Sequence, residues 1–326
     1  MKTYVITGVC GFIGSNLAIR LLEEGHRVIG FDRINSSYKE HSIEELSEYM
    51  GFKLYNIDLS KPHADLELLY LVGDEPIETI FHLAANADVR FSSVFPNKDI
   101  DDGIIATFNV LKFMKNNGCK QIAYSSTSAI YGKVDKVPTP ENCHYTQTSF
   151  YGASKVAGEA LVQAHCEAYD AKCWIYRYAS ITGPRYSHGF IYNFYRNLKK
   201  NPNELFVHGG KEQLKTYLDV EDCIDAMLMI NDKAKEKINI FNIGNFETIG
   251  LPNSIPVITE HMKIEPEITW SGNEVGWIGD SKINNLDITK LTNLGWKPKY
   301  TIKETIIRTL QWLDNNQWIL NIREEL

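Results

Sequence analysis

Short apolar runs, rich in β-branched residues, alternate with longer segments of helical period from residue 3 to about residue 178. Residues 4–7, 27–31, 53–57, 79–83, 121–125 and 173–178 read as strands, and residues 13–24, 104–116 and 152–169 as helices, the first stopped by Gly25. Val5-Ile6, Val28-Ile29 and Ile80-Phe81-His82-Leu83 are apolar on both faces, as a parallel strand covered by helices on either side must be. The alternation predicts an α/β fold, a doubly wound parallel sheet. Beyond Gly183-Pro184 the pattern loosens, with turn signals at Asn201-Pro202-Asn203 and His208-Gly209-Gly210. The reading is therefore a main domain over 1–183 and a smaller, mostly C-terminal α/β region over 184–326. Residues 218–234 and 238–243 are expected to return to the main sheet, and a helix over 301–314 closes the chain.

Composition narrows the choices. With 44% apolar and 23% charged residues in 326, the chain is an ordinary folded protein, too long for one small domain. Its formal charge of -7 and lack of a dense basic stripe argue against nucleic acid as a partner. Six scattered cysteines form no C-x-x-C pair, and the nine histidines no H-E-x-x-H, so no metal is expected. Nothing approaches 18 uninterrupted apolar residues, and residue 3 already opens a strand. The expectation is a cytoplasmic protein with no membrane contact.

Thr7-Gly8-Val9-Cys10-Gly11-Phe12-Ile13-Gly14 lies where the first strand gives way to the first helix. Glycines at 8, 11 and 14 let the chain bend tightly and bring unpaired helix N–H groups up to a pyrophosphate, as in a Rossmann-type dinucleotide site. Asp32 ends the second strand eighteen residues after Gly14, where an acid reaches ribose hydroxyls and repels a 2′-phosphate. NAD is thus favoured, with Arg33 keeping NADP open. Asp58 is placed either to accept from the adenine amino group or to cap a turn.

Tyr151 and Lys155 are four residues apart, so a helix puts both on one face. A free tyrosine titrates near about 10, and a neighbouring ammonium favours the phenolate a base requires. Ser125-Ser126-Thr127, after the fifth strand, offers a hydroxyl to orient a substrate alcohol.

Taken with Asp58-Leu59, His82-Leu83-Ala84-Ala85, the run 125–132, the run 177–185 and Gly279-Asp280, these motifs resemble the extended short-chain dehydrogenase/reductase family, in its NAD-dependent epimerase/dehydratase branch acting on nucleotide sugars. The resemblance implies catalysis by Thr127, Tyr151 and Lys155. It implies NAD contacts at Gly8, Gly11, Phe12, Ile13, Gly14, Asp32, Arg33, Asp58, Leu59, Leu83, Ala84, Ala85, Ser125, Tyr178 and Ile181. The smaller region becomes a substrate-binding region, with contacts at Asn86, Arg90, Ser126, Ser180, Phe190, Ile191, Phe206, His208, Lys215 and Asp280 joining Thr127 and Tyr151. A homodimer through the helices near 104–116 and 152–169 is implied as well.

Within the branch, 4,6-dehydratases resemble one another in an Asp-Glu after the hydroxyl residue, and uronate decarboxylases in a Glu; here the residues are Ser128-Ala129. The nearest resemblance is thus to nucleotide-sugar 4-epimerases of the UDP-hexose type. Ser180 and Gly103 stand where many have Asn, and Lys215 and Trp277 where many have Arg. An oxidoreductase that stops at C4, or an NAD-binding sensor without chemistry, are the competing readings.

Overall fold

The computed structural model describes residues 1–34, 37–86, 92–134, 136–144, 146–274, 276 and 281–320. The first half of the chain lays down β1 (Thr3–Thr7), α1 (Phe12–Glu23), β2 (Arg27–Asp32), α2 (Ser37–Ser47), β3 (Phe52–Asn56), α3 (Ala64–Val72) and β4 (Thr79–His82). Then follow α4 (Pro96–Asp99), a π-helical turn over Ile100–Ile105, α5 (Ala106–Asn117), β5 (Gln121–Thr127), α6 (Phe150–Tyr169), β6 (Lys172–Tyr178) and β7 (Ser180–Thr182). The remainder forms α7 (Phe190–Lys200), β8 (Glu204–Val207), β9 (Leu214–Lys215), β10 (Tyr217–Asp219), α8 (Val220–Lys233), β11 (Ile238–Ile243), β12 (Ile249–Gly250), α9 (Leu251–Met262), β13 (Glu267–Trp270), β14 (Ile283–Asn284), α10 (Thr289–Thr292) and α11 (Ile302–Asn315).

Seven strands pair in the order β11-β6-β5-β4-β1-β2-β3, all parallel. The order reverses direction between β1 and β4, and the crevice at that switch point, beyond the carboxyl ends of the strands, is where such sheets bind ligands. One face of the sheet packs Ile6 and Phe81 against Leu17, Leu21, Met227 and Ile230 of α1 and α8. The other packs Val5, Ile80 and Ile175 against Val110, Met114 and Val162 of α5 and α6. A third cluster, Ile191, Tyr195, Leu205, Ile258, Ile306 and Leu310 among others, is the core of the C-terminal region. There β10 pairs β7, β8 pairs β13, and β9 lies between β12 and β14.

Residues 238–243 join the main sheet beside β6, as expected. Residues 218–234 come back to it as a cover: β10 pairs with β7 outside that sheet, and α8 packs on a sheet face with Val220, Cys223, Ile224 and Met227. Its apolar residues recur at helical spacing, so they bury against strands instead of between them.

Candidate active site

The turn after β1 is built around three close approaches. Gly8 has φ of +70°, and a Cβ there would lie 2.8 Å from the amide nitrogen of Ala84, at the end of β4. A Cβ on Gly11 would sit 3.1 Å from the Gly8 carbonyl oxygen, and one on Gly14 2.9 Å from Val9 Cα. Gly11 caps α1 without a side-chain hydrogen bond, and the first turn carries no acid. Its N–H groups therefore face the switch-point crevice with a positive dipole end, a cradle that fits a pyrophosphate. Phe12 and Ile13 open the helix, half-buried.

Asp32, buried at the end of β2, accepts from the Cys10 N–H at 2.9 Å and from Lys39 Nζ at 2.7 Å. Lys39, on α2, gave no signal in the sequence because nothing marks which exposed lysine turns back. Arg33 is held by Asp102 at 3.0 and 3.2 Å and by Asp58 at 3.5 Å. The cation that kept a 2′-phosphate open is thus engaged by two carboxylates, which favours NAD. Asp58 caps its own turn through the Ser60 N–H and hydroxyl at 3.0 and 2.6 Å. These bonds outweigh desolvation and, with Arg33, hold its carboxyl below the usual range.

Beneath the crevice, buried His82 is bracketed by Thr7 Oγ1 at 2.7 Å and Thr107 Oγ1 at 3.0 Å. Thr107 donates to the Gly103 carbonyl at 2.6 Å, leaving its oxygen to accept from Nε2–H, so Nδ1 accepts from Thr7. Burial, then the nearby Lys155 charge, pushes this imidazole down to about 3. His82 is therefore neutral and fastens β1 and β4 to α5. Ala84, which donates its N–H to Thr7 Oγ1 at 3.2 Å, and Leu83 and Ala85 line the end of β4, half-buried.

Tyr151 and Lys155 lie on the first turns of α6, capped by Ser149, which accepts from the Gly152 N–H at 3.0 Å. The Tyr151 N–H goes instead to Ser92 Oγ at 2.8 Å. The phenol lies close to the Thr127 hydroxyl, the group expected to share the substrate alcohol, and Thr127 Oγ1 accepts from the Ala129 N–H at 3.1 Å. Burial pushes Tyr151 up to about 12, opposed by the nearby Thr127 hydroxyl and reinforced by the Asp99 carboxylate. Lys155 is not the group that draws the phenol down here. Its ammonium is 3% exposed, donates to the Ser125 carbonyl oxygen at 2.7 Å and Ser125 Oγ at 3.3 Å, and is pushed by burial down to about 8.

Four expected contact residues turn inward. Ser126, 2% exposed, donates to Glu159 Oε1 at 2.5 Å, because strand alternation sends it behind the sheet while Ser125 and Thr127 face the crevice. Leu59 and Ile191 are core residues, and the Tyr178 hydroxyl points to Met227 Sδ at 3.2 Å. Ser180, Ile181, Phe190 and Lys215 are half-buried, and Phe190 packs on Tyr217 at 4.9 Å. Phe206 and His208 are exposed and meet edge to face at 4.9 Å. Buried Asn86 donates to Asp99 Oδ1 at 2.9 Å. Arg90, Trp277, Gly279 and Asp280 lie outside the described residues.

Glu159, one turn beyond Lys155, is paired with Arg177 of β6 at 3.0 and 2.7 Å. Arg177 reaches the Tyr131 hydroxyl at 3.1 Å, which donates to Asn242 of β11 at 2.7 Å. This buried chain fixes the run after Thr127 against the sheet; the i,i+4 spacing of Lys155 and Glu159 was its one sequence signal. Beside Thr127, the Ser128 hydroxyl accepts from Asn284 Nδ2 at 3.0 Å. Among the described residues no group of His, Cys, Asp and Glu could hold a metal ion, and no helix is long and apolar enough to cross a membrane.

A glycine cradle at the switch point of a seven-stranded parallel sheet, with Thr127, Tyr151 and Lys155 converging beside it, is the architecture of the extended short-chain dehydrogenases/reductases. Residues 4–244 match the NAD dependent epimerase/dehydratase family, and the chain belongs to that family. NAD is the cofactor, and the glycine cradle and Asp32 fit it. The chain is 30% identical over 324 residues to the UDP-glucuronate 4-epimerase of Thermodesulfobacterium geofontis, covering 97% of each protein. A crystal structure of a UDP-galactose 4-epimerase is 32% identical and superposes with a TM-score of 0.84, covering 97% of this chain and all of that one. The UDP-glucose 4-epimerase of Thermotoga maritima, crystallised with UDP-glucose, is 26% identical with a TM-score of 0.86 over 97% and 99% of the chains.

Proposed function

We propose that this protein is a nucleotide-sugar 4-epimerase acting on a UDP-hexose. The observation that carries the reading is the meeting of Thr127 and Tyr151 beside the cradle, with neutral Ser128 and Ala129 in the next two positions. Bound NAD supplies a reversible hydride acceptor. With the positive ring of bound NAD offsetting the burial that otherwise keeps the phenol protonated, Tyr151 as phenolate would take the proton of the C4 hydroxyl as C4 is oxidised to a ketone, and give it back as the ketone is reduced from its other face. Thr127 holds the alcohol oxygen in line with Tyr151. Lys155, anchored on Ser125, would offer its ammonium to the ribose of the bound cofactor. Elimination of water from C5 and C6 needs a further acid, and a hydroxyl bonded to Asn284 is a poor one.

The substrate-binding region is taken as residues 184–326, apart from the returning chain at about 218–250. The working unit is taken as a cytoplasmic homodimer joined through α5 and α6. The test is incubation with UDP-glucose, UDP-N-acetylglucosamine, UDP-glucuronate, GDP- and CDP-sugars, without added NAD, followed by NMR. Appearance of a C4 epimer is expected for a UDP-sugar. Accumulation of a 4-keto or dehydrated product, or unchanged sugars throughout, would overturn the reading.

A further inference from the structure

The geometry points to Asp99 as a positioning residue that anchors the Tyr151 end of α6. This inference rests on the epimerase reading only for the role of Tyr151 in turnover. Asp99 ends α4 and is 1% exposed. One of its oxygens accepts from Asn86 Nδ2 at 2.9 Å, the other from Ser92 Oγ at 2.6 Å. The Ser92 oxygen in turn accepts the Tyr151 N–H at 2.8 Å. One buried carboxylate thus links the end of β4, through Asn86, to the first turn of α6.

The link matters because the Tyr151 N–H is a first-turn donor that the helix itself cannot satisfy. Ser149 takes the Gly152 N–H, so Ser92 fixes where the tyrosine enters the helix, and a shift of about 1 Å at a reacting group costs about a hundredfold in rate.

The test uses Ser92→Ala and Asp99→Asn in the NAD-loaded protein, with NMR following hydrogen exchange of the Tyr151 amide and epimer formation giving kcat and KM. Both variants are expected to speed exchange of that amide about tenfold or more and to lower kcat about tenfold or more, with KM little changed. Unchanged amide exchange, or unchanged kcat, in Ser92→Ala overturns the anchoring role, even if Asp99→Asn fails to fold. Because amide exchange needs no turnover, an inactive wild type would count against the epimerase reading and leave the anchoring role to be decided by NMR.

Discussion

Lys155 Nζ lies 2.7 Å from the main-chain carbonyl oxygen of Ser125. That bond ties the catalytic helix to the last turn of the central strand β5, two residues before Thr127, so the hydroxyl and the phenol inherit one rigid frame. The ammonium acts first as a strut, and its charge is carried at the cost of desolvation.

Tyr151→Phe keeps the ring in its half-buried place and removes the group that moves the proton. Cofactor content, read by absorbance after denaturation, should match wild type. Epimer formation by NMR should fall by about 10²- to 10⁴-fold, the range for general acid–base catalysis. Retained turnover would take the proton-transfer role away from Tyr151.

Lys155 also leaves a mark on stability. Burial lowers its folded-state value from 10.5 to about 8, so between those pH values the unfolded chain holds more proton than the folded one. Stability of wild type relative to Lys155→Met should therefore rise with pH through that window, by up to about 3 kcal/mol. Urea denaturation at pH 7, 8.5 and 10 measures the gap, and a gap independent of pH would mean that Lys155 titrates normally.

The glycine at 103, where the family often has Asn, has a local reason. A Cβ there would meet Ser154 Oγ at 2.7 Å and Ser154 Cβ at 2.9 Å, because the π-helical turn closes directly onto α6. Gly103→Ala should cost about 1–3 kcal/mol by overpacking. Ser154→Gly should recover part of that loss in the double variant, a coupling visible in a double-mutant cycle of denaturation midpoints. Strict additivity would place the cost elsewhere.

The Glu159–Arg177 pair is buried on both sides, its side chains 4% and 5% exposed. Glu159→Gln leaves the guanidinium in the core without its carboxylate partner and should cost about 3–5 kcal/mol. Replacing both by Met should cost less than the single change, since two desolvated charges vanish together. The order of the three denaturation midpoints decides it.

The sheet was legible because buried parallel strands must be apolar on both faces, and all six expected strands begin within a residue of their place. The Tyr151–Lys155 face was legible because a helix makes i and i+4 neighbours. What escaped was whatever depends on contacts between distant segments. No period links Ser92 to Asp99 or Lys39 to Asp32, and Ser126 looks like Ser125 until the strand's alternation is set against Glu159.

The remaining prediction concerns assembly. Ile105 and Phe108 are 40% and 51% exposed, one turn apart on the same face where the π-helical turn runs into α5. Tyr169, at the end of α6, is 41% exposed and lies by Lys115, at the far end of α5. Large apolar side chains left exposed along two neighbouring helices are costly to leave in water, and a second copy offering the same helices would cover them. Light scattering after gel filtration should give about twice the chain mass of 37.2 kDa. Phe108→Glu should halve it, since a carboxylate buried against its own symmetry mate has no partner. Thermal stability measured well below the dimer's dissociation constant should be unchanged, because Phe108 leaves the core of its own chain untouched. A wild type that runs as a single chain would refute the arrangement, and a Phe108→Glu protein that stays dimeric would move the interface to another face.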